Sequence, residues 1–413
     1  MTFSCFELEI TNWLKVEDIG KTGPSSGKRR TQKAPGHSLF TDLRKSKLMT
    51  IPIVLVIVAL VAVPAASNWI PERNQVIPTI SPAPTLVIAK PVLPTESAKV
   101  DSVPSLTFAS LNVTKANSTS IPAWSKRRDA IGRTINESNS DVIGLQEATS
   151  IKVNGANNER MTQLRDIQQL AVAGGYVGTN VGVDTCEPNT CIHSAHILYK
   201  QEKVKQLEFL NDLPSAGQGR LSEIVDGLKY AKNREFAWTY LEGLNGSGAF
   251  LTISVHLNNE TNSVGKIDRE LVGRAITTWA EELNAKSGFD GIPIILVGDF
   301  NSYDDREPKG MLFELAKSGW LDSFDAPTNE YKFFGDAYTA SYTKNNRSGW
   351  PKRPITSSDP VRIDYIMYKG EGLNADAYQV ALRLKEDGTF DNYYRGSDHM
   401  MVQAILRFDP VAP

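Results

Sequence analysis

Short apolar runs that end on polar residues alternate with amphipathic stretches along this sequence, and this alternation constrains the fold more than any other feature. Eight runs have the length and β-branched content of strands: residues 105–113, 141–145, 195–199, 236–241, 250–257, 292–297, 362–368 and 400–408. Three stretches carry apolar residues at helical spacing: residues 124–139, 160–173 and 268–285. Strands that alternate with helices predict a layered α/β domain. The pattern alone does not distinguish two packed sheets from one sheet with helices on both faces.

The start of the chain has the composition of a targeting region. A polar, basic leader spans residues 1–47, and an apolar stretch, 48–66, follows the cationic residues Arg44, Lys45 and Lys47. Positive charge before an apolar block that ends in small residues is typical of an export signal. The stretch is also just long enough to cross a bilayer as a signal-anchor with a cytoplasmic N-terminus. A buried strand or helix is the third interpretation of the same residues.

A linker rich in proline, serine and threonine follows at residues 67–104. Proline removes backbone donors and favours extended geometry, so this segment is predicted to be a stiff spacer. The folded domain is therefore expected at residues 105–410. An export signal or anchor would leave that domain outside the cytoplasm, either secreted or attached to the membrane.

Two of the three cysteines, Cys186 and Cys191, flank a four-residue loop. A disulfide formed after export is one interpretation of this spacing, and two reduced thiols in a surface loop are the other. A structural metal site is disfavoured because no further cysteine lies nearby to complete it.

The charge balance limits the class of partner. Residues 101–413 carry 33 Lys and Arg residues against 40 Asp and Glu residues. An acidic domain does not bind polyanions through a strong general basic field. Any contact with nucleic acid would therefore be local or bridged by bound cations.

Polar residues gather at the ends of the predicted strands. Four clusters lie at such ends: Asn112, Gln146 with Glu147, Asp299 with Asn301, and Ser397 with Asp398 and His399. His256 interrupts a predicted strand, and Asp364 lies within another. Ionisable groups at strand ends tend to converge on one rim, where loops carry function. Carboxylate and amide oxygens suit Mg²⁺, Mn²⁺ or Ca²⁺ better than zinc, and histidines supply acid–base chemistry near neutral pH. Taken singly, each cluster also has an ordinary explanation as a turn, a helix cap or an ion pair.

Seven segments that contain these residues occur in one order along the chain. They are Ser-Leu-Asn at 110–112, Val-Ile-Gly-Leu-Gln-Glu at 142–147, Ile-Leu-Tyr-Lys at 197–200, Val-His-Leu at 255–257, Gly-Asp-Phe-Asn at 298–301, Arg-Ile-Asp-Tyr at 362–365 and Ser-Asp-His at 397–399. The ordered set resembles the endonuclease/exonuclease/phosphatase superfamily, the deoxyribonuclease I-like group, in the form of an exported bacterial-type member. The resemblance implies a four-layered α/β sandwich with two central mixed β-sheets flanked by helices.

The resemblance also implies a role for each polar cluster. Glu147 would bind a divalent metal, Mg²⁺ or alternatively Mn²⁺ or Ca²⁺, and Asn112 and Asp398 would hold that metal or its waters. The implied catalytic residues are His256, Asp299, Asn301, Asp364 and His399. Asp364 would orient His399. The assignment of acid and base among His256, Asp299 and His399 stays open.

One departure from the family pattern lies near the third segment. Pancreatic-type nucleases carry a glutamate there as the partner of the Val-His-Leu histidine, whereas this chain has Ser194. If His256 needs such a partner, His193 or another group must replace it.

The substrate is less constrained than the reaction. Residues 336–362 interleave basic and aromatic side chains, which can hold a sugar-phosphate backbone and stack on bases. A solvated surface loop is the alternative. The predicted substrate contacts are Tyr199, Lys344, Arg347 and Trp350.

Three functions remain open at this point. The first is an exported, metal-dependent nuclease or phosphodiesterase that hydrolyses DNA or RNA by attack of water on phosphorus. The second is a sphingomyelinase-like phospholipid or inositol-phosphate phosphoesterase, which would carry an exposed apolar hairpin; residues 331–334 are a weak candidate. The third is a non-catalytic binding module. We expect a monomer without an obligate protein partner.

Overall fold

A computed structural model describes residues 103–179, 194–208, 213–302, 309–326, 331–340, 351–358 and 361–410. The predicted leader, the apolar stretch 48–66, nearly all of the linker, the cysteine pair and His193 lie outside these residues. The predicted substrate contacts Lys344, Arg347 and Trp350 also lie outside them. Within the described ranges, no helix has the combination of length and apolar character that crossing a bilayer requires.

Strands dominate the described part of the chain. In chain order they are β1 Ser105–Asn112, β2 Val142–Gln146, β3 Lys152–Asn154, β4 Arg160–Thr162, β5 Tyr176–Gly178, β6 His196–Lys200, β7 Val204–Gln206, β8 Ala216–Arg220, β9 Glu235–Gly243, β10 Gly248–His256, β11 Ile294–Asp299, β12 Leu321–Asp322, β13 Tyr331–Phe333, β14 Asp364–Lys369, β15 Leu373–Val380 and β16 Val402–Phe408. The α-helices are α1 Trp124–Glu137, α2 Gln163–Ala171, α3 Ser263–Ser287 and α4 Met311–Lys317. Short 3₁₀ turns occupy Ala156–Asn158, Val172–Gly174 and Leu221–Glu223.

The strands form two large mixed sheets. The first sheet has the order β13-β15-β16-β1-β2-β6-β5, and the second has the order β12-β14-β11-β10-β9-β7 with β8 also paired to β9. The β1–β2 and β10–β11 pairs are parallel, whereas the other pairs around them are antiparallel. β3 and β4 form a separate hairpin.

Three buried apolar clusters separate four layers. One cluster joins α1 and α2 to the outer face of the first sheet, and another joins α3 and α4 to the outer face of the second. The third cluster fills the space between the two sheets. The arrangement confirms the expected four-layered sandwich and excludes a single sheet with helices on both faces.

The predicted elements are present, with shifted ends. Helix α2 begins at Gln163 rather than at residue 160, because the Thr162 side chain accepts the Arg165 N–H and caps the helix there. Strand β15 is not among the strands that the sequence pattern predicts. A bulge between Ala375 and Ala377 breaks the alternation of apolar and polar residues that identifies a strand.

The space between the two sheets narrows along the strands. At one end, the rings of Phe108 on β1 and Phe250 on β10 pack edge to face with centroids 5.5 Å apart. Further along, the space between the sheets becomes too narrow for a side chain on β2. A Cβ atom added to Gly144 would lie 2.2 Å from Cγ2 of Val297 on β11. Glycine is therefore required there by the close approach of the two sheets.

A chain of buried hydrogen bonds crosses the interior beside this glycine. The Ser110 hydroxyl donates to Oε1 of Gln146 at 3.3 Å, and Nε2 of Gln146 donates to the Ser254 hydroxyl at 3.1 Å. All three side chains are buried. Because a buried polar group without a partner is costly, these bonds fix the sheets in one relative position just below their polar edge.

We predict that Gly144→Ala lowers the free energy of unfolding by about 1–3 kcal/mol, the usual cost of overpacking a core. The Val297→Ala variant removes the methyl group that the new side chain would meet, so alanine at position 144 should cost less in that background. Urea unfolding of the wild type, both single variants and the double variant gives the coupling energy. Equal costs in the two backgrounds would contradict the steric explanation.

Candidate active site

Three ionisable residues form a row at the edge of the second sheet. The register pairs His256 with Asp299 and Asp299 with Asp364 across β10, β11 and β14. Register partners on neighbouring strands point to the same face of a sheet, and this face looks toward the first sheet. Asp299 and Asp364 are 1% and 0% exposed, so the row lies inside the protein rather than on its surface.

The first sheet contributes an amide and a carboxylate opposite this row. Asn112 ends β1 and donates its Nδ2–H to Oδ2 of Asp299 at 3.0 Å, which links the two sheets at their edge. The same nitrogen lies 3.5 Å from Oε1 of Glu147, the residue after β2. Glu147 is also held by the Lys115 backbone N–H, which donates to its Oε2 at 2.9 Å.

Three non-glycine residues around the site have left-handed backbone conformations. Thr114, Glu147 and Asn301 have φ values of 54°, 57° and 50°. Asparagine tolerates this conformation, whereas threonine and glutamate adopt it at a cost of about 1–3 kcal/mol each. Strain of this kind persists only where the surrounding contacts determine the backbone, and it concentrates at functional sites.

The dyad of His399 and Asp364 lies beside Asp299. Nδ1 of His399 is 3.0 Å from Oδ2 and 3.1 Å from Oδ1 of Asp364, which leaves Nε2 directed toward Asp299 Oδ2 at 3.8 Å. Burial by itself would lower the pKa of His399, but Asp364 and Asp299 outweigh burial and raise this pKa well above its ordinary value. The two aspartates therefore favour the protonated form of His399.

Asp299 is the carboxylate whose environment is most unfavourable for charge. Burial, together with repulsion from Asp364, raises the pKa of Asp299 to about 7 against the opposing effect of His399. The Asn301 backbone N–H donates to its Oδ1 at 3.0 Å, while the Asn301 side chain donates to the Leu257 carbonyl at 3.1 Å. Asp299 thus titrates near neutrality in a fixed orientation.

The surroundings of His256 shift its pKa in the opposite direction to that of His399. Its Nε2 lies 3.5 Å from Asp299 Oδ2 and 3.9 Å from Glu147 Oε1, and Nη1 of Arg234 lies 3.0 Å from the same nitrogen. Burial and the positive charge of Arg234 lower the pKa of His256 to about 3. His256 is therefore neutral at physiological pH.

The turn before His399 completes the site. The Ser397 hydroxyl donates to the Asn112 carbonyl at 2.5 Å and accepts the His399 backbone N–H at 3.1 Å. The Thr114 hydroxyl donates to Oδ1 of the half-buried Asp398. Asp398 is thereby held next to the turn that also holds Glu147.

A carboxylate does occupy the region of the missing glutamate partner, but it comes from another strand. Oε2 of Glu235, at the start of β9, accepts the Ser194 backbone N–H at 2.5 Å. The register of β9 and β10 places Glu235 beside the end of the strand that carries His256. Burial raises the pKa of Glu235 to about 7. Its carboxylate contacts Ser194, whereas the ring of His256 contacts Arg234 instead.

The donor set fits a hard divalent cation. Asp299, Asp364 and His399 place one ligand atom each within 4.8 Å of one another. His399 is already bound to Asp364 through Nδ1, however, and the two aspartates favour its cationic form, which opposes a second cation. Glu147 and Asp398 offer carboxylate oxygens nearer the solvent, and Glu147 is 24% exposed. Oxygen ligands with residual access to water are those that Mg²⁺ and Ca²⁺ prefer.

The structure thus brings together all eight residues predicted for catalysis and metal binding, whereas Tyr199, the one predicted substrate contact among the described residues, lies elsewhere. Tyr199 lies in the apolar interior between the sheets, 8% exposed and opposite Val142, whereas the site lies beyond the far end of β2. Residues 331–334, the candidate for an exposed apolar hairpin, lie at the edge of the first sheet. Strand β13 pairs with β15 at the edge of the first sheet, and Phe334 packs against the interior.

Arg234, Thr114 and Lys115 are site residues that sequence reasoning missed. Arg234 lies two residues before the predicted strand 236–241, which is antiparallel to the strand ending on His256. Pairing those two strands in register would have placed the guanidinium beside the histidine. Thr114 and Lys115 act through a hydroxyl and a backbone N–H, for which the sequence carries no distinctive pattern.

Comparison with known proteins gives one family and a shared fold. The Endonuclease/Exonuclease/phosphatase family model matches residues 110–399. An endonuclease/exonuclease/phosphatase family protein from Bacteroides thetaiotaomicron aligns with a TM-score of 0.53 at 21% identity, over 75% of this chain and 96% of that one. A mannosyl-6-phosphatase from the same species aligns with a TM-score of 0.51 at 21% identity, over 73% of this chain and 100% of that one. No curated protein matches the chain.

We predict that Glu235→Gln stabilises the protein in a pH-dependent manner. A buried carboxyl whose folded pKa is raised stabilises the fold below its unfolded pKa and loses that contribution as pH rises through the folded value. The variant should therefore match the wild type near pH 4 and exceed it at pH 8, by about 1–3 kcal/mol in the free energy of unfolding.

Thermal unfolding between pH 4 and 8 tests this expectation. Glu242→Gln is the matched control, because Glu242 lies on the same strand but is solvent-accessible and paired with Lys205. A stability difference for Glu235→Gln that does not change with pH would contradict the burial explanation.

Proposed function

The chain belongs to the endonuclease/exonuclease/phosphatase family of phosphoester hydrolases, and on this premise we propose that it is a divalent-metal-dependent phosphodiesterase of the nuclease type. The observation that carries the proposal is the meeting of Asn112 and Glu147 from one sheet with His256, Asp299 and Asp364 from the other. His399, from the segment that precedes β16, is bound to Asp364 at the same place. Three kinds of group then surround one space. They are carboxylates that can bind a cation, the neutral His256, and His399, whose protonated form is favoured.

Glu147, Asn112 and Asp398 would hold the cation, Mg²⁺ or alternatively Mn²⁺ or Ca²⁺. Their carboxylate and amide oxygens are the appropriate ligands, and the carboxylate of Glu147 keeps access to solvent. A cation bound there would neutralise negative charge on the phosphoryl group and thereby favour attack on phosphorus.

The remaining residues divide between binding and proton transfer. Arg234 would bind a non-bridging phosphate oxygen, because its guanidinium contacts only His256 and Asn259 among the described residues. Neutral His256 would share that oxygen as a hydrogen-bond partner. Asp299, which titrates near neutrality, would accept the proton of the attacking water.

His399 would act through its charge. A protonated imidazole held by Asp364 can stabilise the negative charge that builds on the phosphoryl oxygens, and its Nε2 can deliver a proton to the leaving oxygen. Asn301 fixes the relative position of the ends of β10 and β11 and so keeps Asp299 aligned.

We predict that the purified full-length protein hydrolyses a phosphodiester in the presence of Mg²⁺ or Mn²⁺ and loses this activity in EDTA. Plasmid DNA, RNA, sphingomyelin and bis-p-nitrophenyl phosphate would be offered in parallel. Nicked plasmid or shortened RNA is the expected result. Release of a lipid head group without cleavage of nucleic acid would favour a phospholipid hydrolase, and turnover that persists in EDTA would contradict the metal requirement.

Variants of the dyad connect this activity to the site. His399→Ala and Asp364→Asn should each lower kcat by about 10²- to 10⁴-fold, the usual contribution of a positioned proton donor. Asp376→Asn is a control, because Asp376 lies on β15 and pairs with Arg407. Full activity in His399→Ala would contradict the mechanism, and inactivity of the wild type on every phosphoester would favour a binding module.

We further propose that the protein is exported, with residues 48–66 acting as a cleaved signal or as a membrane anchor. The support is compositional, since cationic residues precede an apolar block that ends in small residues. Fractionation of cells that express the full chain should place the catalytic domain outside the cytoplasm. Deletion of residues 48–66 should retain it inside. A full-length protein confined to the cytosol would contradict export.

A further inference from the structure

Arg127 is a buried arginine outside the site whose guanidinium contacts backbone rather than carboxylates. The residue lies on α1 and is 2% exposed, and no ion pair joins it to another described residue. It donates four hydrogen bonds to carbonyl oxygens: Val113 at 2.6 Å, Thr114 at 2.5 Å, Lys115 at 3.0 Å and Gly396 at 2.9 Å. Burying a charge without a counter-charge is costly, so four bonds at one guanidinium require an explanation.

Those carbonyls belong to two turns next to the proposed cation ligands. One turn, 113–115, contacts Glu147, and the other, which begins at Gly396, contains Asp398. The turn 113–115 follows Asn112, gives its Lys115 N–H to Glu147 and gives its Thr114 hydroxyl to Asp398. The Gly396 carbonyl immediately precedes the turn of Ser397 and Asp398. A single side chain therefore connects the two turns behind Glu147 and Asp398.

Gln163 on α2 contacts the same region from a second helix. Its Nε2 donates to the Thr114 carbonyl at 3.0 Å, and its Oε1 accepts the Ala116 N–H at 3.0 Å and the Thr149 hydroxyl at 2.7 Å. Gln163 is 0% exposed. Since Thr149 closely follows Glu147, this amide connects the turn 113–115 to the segment that leaves the first sheet after Glu147.

The two helices are themselves joined beneath these contacts. The Trp124 ring lies 4.7 Å from the Arg127 guanidinium, and its Nε1–H donates to Asp166 on α2 at 2.7 Å. Arg128 donates to the other oxygen of the same carboxylate. Arg127 and Gln163 therefore project from two helices that are joined to each other. This connection fixes the positions of the two side chains relative to the turns that they contact.

Charge distinguishes Arg127 from an ordinary backbone cap. Burial lowers the pKa of Arg127 to about 10, and the nearby carboxylates of Asp398 and Glu147 oppose that shift. The guanidinium stays protonated at neutral pH and offsets part of the repulsion between two carboxylates that must lie close together without a cation. A neutral donor at this place would satisfy the carbonyls but not the repulsion.

We infer that Arg127 and Gln163 are positioning residues that hold the left-handed turn at Thr114, and through it Glu147 and Asp398, in the arrangement that receives a divalent cation. The inference rests on the proposed cation site and adds the part of the molecule that preorganises it. Residues that orient metal ligands typically contribute 10- to 100-fold to metal affinity. The outer helical layer thereby acts on Glu147 and Asp398 through the two turns that it contacts.

The test measures cation binding directly. Mn²⁺ affinity of the full-length protein would be obtained by electron paramagnetic resonance of the free ion, for the wild type, Arg127→Lys and Gln163→Met. Lysine keeps the charge but cannot reach four carbonyls, and methionine keeps the size of Gln163 but removes its donor and acceptor. Both variants should bind Mn²⁺ about 10- to 100-fold more weakly. Saturating Mn²⁺ should restore most of kcat.

Arg133→Lys is the matched control, because Arg133 lies on the same helix and donates to a backbone carbonyl, that of Tyr393, which belongs to neither turn. It should lower the melting temperature without changing Mn²⁺ affinity. Wild-type Mn²⁺ affinity in folded Arg127→Lys, or in folded Gln163→Met if the lysine variant fails to fold, would overturn the inference. Absence of Mn²⁺ binding by the wild type would instead overturn the cation site itself.

Discussion

The burial of Asp299 and Asp364 side by side is the constraint on which the rest of the site depends. Moving one carboxylate out of water costs several kcal/mol even after the protein relaxes, and two neighbouring carboxylates also repel each other. The dyad with His399 compensates Asp364, and the amide of Asn112 with the backbone of Asn301 compensates Asp299. The pKa of Asp299 nevertheless stays raised to about 7, so the compensation is incomplete.

The two-sheet scaffold makes this burial attainable. Gly144 lets the sheets approach, and the Ser110–Gln146–Ser254 hydrogen bonds fix their relative position just below the site. Above that level the strands end, and the chain turns through left-handed conformations at Thr114, Glu147 and Asn301. Packing of the layers below offsets the conformational cost of these turns, while contacts from the outer helices determine their geometry.

The two histidines of the site prefer different protonation states because the side chains next to them carry charges of opposite sign. His399 faces two aspartates that favour its protonated form, whereas burial and the guanidinium of Arg234 favour the neutral form of His256. The difference divides the chemistry between them, since one can stabilise negative charge and donate a proton while the other can only share a hydrogen bond. Residue type alone would have suggested two interchangeable acid–base groups.

The sequence by itself determined the principal strands and helices, and its resemblance to a known family predicted the four layers and most of the site. Apolar periodicity located the principal strands and three helices, and polar residues at strand ends identified Asn112, Glu147, His256, Asp299 and His399 as neighbours. These signals are local, because the strand period and the strand end are written in consecutive residues. Tertiary structure alone decided that Arg234 faces His256, that Glu235 reaches Ser194, and that Tyr199 points into the interior. It also decided which protonation state His256 and His399 each prefer, and it decided that Arg127 on α1 donates hydrogen bonds to both turns. Each of these depends on strand register, sheet packing and depth below the surface, and they join residues far apart in the chain.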